Sequence, residues 1–151
     1  MVSYVLDESK ETTDFLDSVA KNNNLKRHFV GKKIDVKNAI KNNITVQPKD
    51  SIEQWLYSFY TAELIITDSF HGCVFSILFN KPFITIGNVN RGLSRFQTLL
   101  NLFNLEDRLV LNPDLNKIQS LIKTKIDYTK VNLILEEERE KSKQYFKNNL
   151  K

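Results

Sequence analysis

The chain has one cysteine, Cys73, in 151 residues, which excludes an internal disulfide and with it the small disulfide-stapled scaffolds. With two histidines and no His/Cys cluster, the sequence offers no metal site and calls for no cofactor. No apolar run approaches the roughly twenty residues needed to span a bilayer. The N-terminus, with Asp7, Glu8 and Lys10 after a short apolar run, lacks the shape of a signal peptide. Internal repeats and low-complexity linkers are also missing. What remains is ordinary globular composition, 41% hydrophobic and 26% charged, which argues against disorder. This length suffices for one α/β domain with a real core but not for two. Residues 1–151 are therefore expected to form a single cytoplasmic domain.

Arginine is scarce as well. The net charge of +4 is carried by 17 lysines and only 5 arginines, and the pI is near 9.1. The basic residues between Lys26 and Lys41 invite a nucleic-acid reading. No nucleic-acid motif or repeated aromatic stacking pattern accompanies them, so a solvated lysine-rich surface is the simpler account and no nucleic-acid partner is expected. The charge can still draw in anionic sugar phosphates, or bring the protein to the inner face of an acidic membrane as a peripheral contact at most.

The most informative stretch is residues 64–76, where an apolar run stops at small polar residues around one histidine. Leu64 to Ile66 suit a buried parallel strand, and Phe70, Val74, Ile77 and Leu78 recur at the spacing of a helix's buried face. Asp68 or Ser69 is placed to cap that helix. His71 and Gly72 then fall in its first turn, where unpaired N–H groups and the positive end of the macrodipole attract anions. In open α/β sheets ligands bind at this end of the strands. A lone histidine near a helix start is most often only packed and hydrogen-bonded, and Gly72 can equally serve close packing. Yet a first turn disfavours positive charge, and a bound anion reverses that preference.

Residues 81–96 repeat the design. Pro82 opens a strand, Gly87 ends it, Asn88 to Gly92 form a polar loop, and Ser94 is a plausible cap. Phe96, Leu99, Leu100 and Phe103 mark the buried face of the next helix. Arg95 falls in a first turn, opposing the dipole unless it reaches an anion or carboxylate. Arg91 lies in the loop before it. The alternative for both is a solvated or carboxylate-paired arginine.

Elsewhere the pattern predicts strands at Val2 to Leu6, Leu25 to Val30, Ile44 to Val46 and Leu109 to Leu111. Helices are expected at Thr12 to Lys21, from Ile52 after a Pro48 to Ser51 turn and cap, from Asp114 to Lys123 and from Thr129 to Asn149. Residues 32–43 are ambiguous. Trp55 and Cys73 read as packing residues. In the last helix Glu137 and Lys141 stand four apart in the favourable order, and Ile134, Leu135, Tyr145 and Phe146 form an interrupted apolar stripe. Together these elements predict a Rossmann-like three-layer α/β domain with a mainly parallel sheet.

The ordered set from Ala62 to Phe83, including Thr67-Asp68-Ser69-Phe70-His71-Gly72, followed by Asn88, Arg91-Gly92, Ser94-Arg95-Phe96 and Leu105 to Arg108, resembles the C-terminal part of polysaccharide pyruvyl transferase family proteins. The resemblance implies the donor-binding lobe of a two-lobed, GT-B-like bacterial enzyme with its active site in the cleft. Such enzymes move a pyruvyl group from phosphoenolpyruvate onto a sugar of a cell-surface polysaccharide, forming a ketal. It further implies that a separate N-terminal lobe, absent from this chain, holds the sugar or polysaccharide precursor. Many members carry an arginine two positions before the histidine. Ser69 stands there in this chain, which leaves open phosphoenolpyruvate or another anionic donor; Arg91 or Arg95 can compensate.

On this reading His71 is the catalytic candidate, as proton donor or as a hydrogen-bond donor to departing phosphate, with Ser69, Gly72, Arg91 and Arg95 binding the donor. Two alternatives stay open. One is a glycosyltransferase of the same architecture using a nucleotide-activated sugar, and the other is a non-catalytic, partner-binding lobe.

Overall fold

A computed structural model describes residues 1–6, 9–30, 51–87 and 92–150. Five strands lie in one sheet, β1 (Val2–Tyr4), β2 (His28–Phe29), β3 (Ile65–Thr67), β4 (Phe83–Ile86) and β5 (Leu109–Val110). The order is β2-β1-β3-β4-β5, and every described pairing is parallel. Six described helices accompany them, α1 (Lys10–Asn22), α2 (Ile52–Thr61), α3 (Phe70–Leu78), α4 (Leu93–Leu102), α5 (Leu115–Lys123) and α6 (Tyr128–Asn149). A 3-10 turn at Glu106–Arg108 leads into β5.

Strand alternation sorts the core into two layers. Ile65 and Phe83, paired in register, pack with Phe59 of α2, Cys73 and Ile77 of α3, Phe96 and Leu100 of α4 and Val131 of α6. Ile66, Ile84 and Val110 turn the other way, onto Leu16, Val19 and Ala20 of α1 and Ile118 of α5. The result is the expected three-layer, Rossmann-like arrangement, its sheet parallel throughout the described residues. Trp55 is a packing residue, in edge contact with Tyr4 and Phe75 and tilted onto Phe59. No helix among the described residues is long and apolar enough to cross a membrane.

β1, β2 and β5 are shorter than the runs that predict them, and β3 is displaced by one residue. The expected strand at 44–46, the ambiguous 32–43 stretch and Pro48 lie outside the described residues. Arg27, read with the basic surface, instead has its side chain only 4% exposed. It donates to the Ser3 hydroxyl, the Thr13 carbonyl and the Asp17 carboxylate, each at 2.9 Å, and stacks 3.7 Å from the Phe29 ring centroid. In α6, Lys141 pairs with Glu138 three residues before it rather than with Glu137, and that carboxylate raises the lysine's pKa. The expected apolar stripe divides in two. Ile134 and Leu135 pack on the core, whereas Tyr145 and Phe146 are 65% and 57% exposed. The start of α6 is tied down by the Tyr128 hydroxyl, which donates to the Lys81 carbonyl; burial pushes that phenol's pKa up.

Candidate functional site

The strand order reverses between β1 and β3, the switch point where open α/β sheets usually leave a crevice. Here hydrogen bonds tie the two strand ends together. The Thr67 hydroxyl donates to the Tyr4 carbonyl at 2.6 Å and accepts from the Ser69 N–H at 3.0 Å. The Asp68 carboxylate accepts from the Leu6 N–H at 2.8 Å. Asp68 is therefore drawn back to the chain beyond β1 and does not cap α3.

Ser69 occupies the N-cap position of α3, but its side chain makes no capping bond. The residue is buried, and its carbonyl accepts the first helical bond from Cys73 at 3.0 Å. Gly72 is buried too. A Cβ there would lie 2.3 Å from the Thr67 hydroxyl oxygen, so its missing side chain is what lets α3 sit down on β3. The expected buried face of α3 is accordingly rotated. Gly72, Cys73, Ser76 and Ile77 are buried, Phe70 and Val74 are half-buried, and Leu78 is 40% exposed, because the close approach to Thr67 selects small residues. Cys73 is wholly buried, and burial pushes its thiol up to about 12 despite the neighbouring Thr85 hydroxyl. It is inert at neutral pH.

His71 points outward and is exposed. Its neighbour Phe70 is the hinge of the local geometry. The Phe70 ring meets His71 edge-on at 6.2 Å, meets Phe96 of α4 at 6.0 Å and lies 5.6 Å from the guanidinium carbon of Arg95. The structure thus brings His71 and Arg95 to the same edge, both beside one ring. Ser94 is not the cap of α4: the N-cap is Gly92, in the left-handed region at φ 67° with no side-chain cap, and the Arg95 N–H donates to its carbonyl at 3.1 Å. Arg91 and Asn88 lie outside the described residues.

Capping separates these two helices from the others. Side chains of Ser9, Ser51, Asp114 and Asp127 cap α1, α2, α5 and α6. Only α3 and α4, among the described helices, begin without one. Their first-turn amides and dipole ends are left for solvent or an anion. These neighbouring starts carry an imidazole and a guanidinium, a set suited to holding an oxyanion and moving or sharing a proton. The described residues contain no cluster of three or more His, Cys, Asp or Glu side chains able to hold a metal ion.

Sequence reasoning missed the roles of Thr67 and Phe70. Thr67 reads only as the end of an apolar run, and Phe70 as one more residue of a buried face. The signal that could have found Gly92 is its position three residues before Arg95 in a polar loop.

A family model described as polysaccharide pyruvyl transferase matches residues 1–90. That span runs from β1 past β4 and takes in Ser69, His71 and Gly72, but ends before Arg91 and Arg95. No curated protein and no solved structure matches the chain.

Proposed function

The chain belongs to the polysaccharide pyruvyl transferase family, and from that premise we propose that the edge formed by α3 and α4 binds the phosphorylated donor, phosphoenolpyruvate, of a pyruvyl transfer. The observation that carries this reading is the pair of uncapped helix starts flanked by His71 and Arg95. Ser69 and the backbone around Gly72 fix the α3 turn, Arg95 meets the donor's negative charge, and Arg91, four residues earlier in the sequence, adds a second positive charge. The acceptor sugar is held across a cleft by a second, GT-B-like lobe outside this chain, since one sheet presents one such edge.

The chemistry assigns the roles. Protonation of the methylene carbon of phosphoenolpyruvate makes the adjacent carbon electrophilic, and a sugar hydroxyl adds there. Phosphate leaves with the electrons of its C–O bond, and a second hydroxyl of the same sugar closes the ketal. Of the two hydroxyl protons released, one balances the proton taken up at carbon and the other departs as hydrogen phosphate. His71 either delivers the carbon-bound proton or hydrogen-bonds the leaving phosphate.

The test is an NMR titration of the chain with phosphoenolpyruvate, inorganic phosphate and a nucleotide sugar. Saturable shifts confined to residues 68–72 and 92–96 with phosphoenolpyruvate are expected. Shifts only at distant residues sink the site, and a response to the nucleotide sugar alone favours glycosyl transfer.

A further inference from the structure

We propose that Phe70 and Gly92 are positioning residues that hold the Arg95 guanidinium at the ligand edge before any ligand arrives; the inference rests on the reading above that Arg95 meets the anionic donor. Three of the four described arginines are fixed by oxygen partners. Arg27 has Ser3, Thr13 and Asp17. Arg108 has the carbonyls of Leu121 and Thr124, with Asp107 at 3.2 Å, and Arg139 has Glu136. Among the described residues Arg95 has neither a side-chain hydrogen bond nor an ion pair.

An exposed arginine without partners would normally sample many rotamers. This one lies between two surfaces instead. A Cβ on Gly92 would fall 3.0 Å from both Nε and Nη2 of Arg95, so the guanidinium lies across the bare Cα of its own helix cap. The Phe70 ring stands 5.6 Å from Cζ, within reach of a cation–π attraction. Phe70 is itself held, half-buried, in edge contact with the buried Phe96. The ring belongs to α3 and the arginine to α4, so Phe70 transmits the placement of one uncapped start to the other. Gly92 serves twice, supplying the positive φ of 67° and leaving room for the guanidinium. A side chain placed in advance loses less freedom when an anion binds, which raises affinity without adding a contact to the ligand.

The test uses the whole chain and two readouts. Without ligand, the Arg95 Nε–Hε resonance should be displaced by the Phe70 ring current in the wild type and in Phe70→Tyr, and should return to the random-coil position in Phe70→Leu. With inorganic phosphate, Phe70→Leu should weaken binding about threefold to tenfold, Phe70→Tyr should stay within about twofold, and Phe70→Leu should cost nothing further in an Arg95→Ala background. A random-coil Arg95 signal in the wild type overturns the inference. So does undiminished phosphate binding by a folded Phe70→Leu. If the ring-current shift follows the expected pattern but phosphate does not bind, the positioning role stands and the donor-site reading is what fails.

Discussion

The starts of α3 and α4 occupy the same edge of the sheet and neither is capped by a side chain, yet they are built on opposite plans. At α3 the backbone is clamped. Thr67 bonds to Tyr4 and Ser69, Asp68 reaches Leu6, and Gly72 rests against Thr67 with no room for a methyl group. At α4 the chain arrives through a glycine in the left-handed region, and the group lying against that glycine is the Arg95 side chain. A strand–turn–helix pattern written twice has produced a clamped backbone once and, once, a glycine turn with an arginine laid across it. The donor site proposed above draws on both kinds of support.

Substituting the glycine of each start should sharpen the contrast, and the largest effect is expected at α3. Gly72→Val should cost about 3 kcal/mol or more in unfolding free energy, because Thr67 cannot retreat without giving up its buried bonds. Chemical denaturation measures this. A cost below about 1 kcal/mol would show that the clamped backbone is not rigid. His71→Ala comes next and separates function from packing on the same helix turn. Being exposed, it should leave stability within about 0.5 kcal/mol, while turnover in the pyruvyl transfer proposed above falls about a hundredfold or more at saturating donor. Partial rescue by His71→Gln would assign hydrogen bonding to phosphate, and absence of rescue would assign proton transfer. Unchanged turnover in both variants would make His71 a bystander. Gly92→Ala should have the smallest effect, about 1–2 kcal/mol, set by backbone strain at positive φ, since the group it crowds is the end of a flexible side chain. A loss as large as that of Gly72→Val would erase the distinction between the two starts.

The alternation of short apolar runs with helical periodicity made the layered fold and the neighbouring helix starts legible, because both depend on local pattern. The failures come from contacts that local pattern cannot express. Asp68 looks like a cap until a backbone N–H 62 residues away claims it. Phe70, Val74 and Leu78 look like the buried face of α3 because large apolar residues dominate any periodicity count, whereas the side that packs closest consists of Gly72, Cys73 and Ser76. Ser94 looks like a cap, but Gly92 can turn the chain two residues earlier by adopting a conformation costly for other residues. Arg27 reads as surface charge until Asp17 and two oxygens of distant residues surround it.

The bond from Thr67 to Tyr4 also sets a timetable. It spans 63 residues, whereas the register of β3 on β4 joins Ile65 to Phe83, so closing the longer loop costs about 1 kcal/mol more in chain entropy. During synthesis at roughly 5–20 residues per second, β1 is made roughly 3–13 s before its partner β3. For that interval the first strand has only β2 to pair with, its other edge stays open, and the floor beneath α3 cannot form until β3 is added. The edge proposed to receive the ligand thus waits for β3 to be added beside β1.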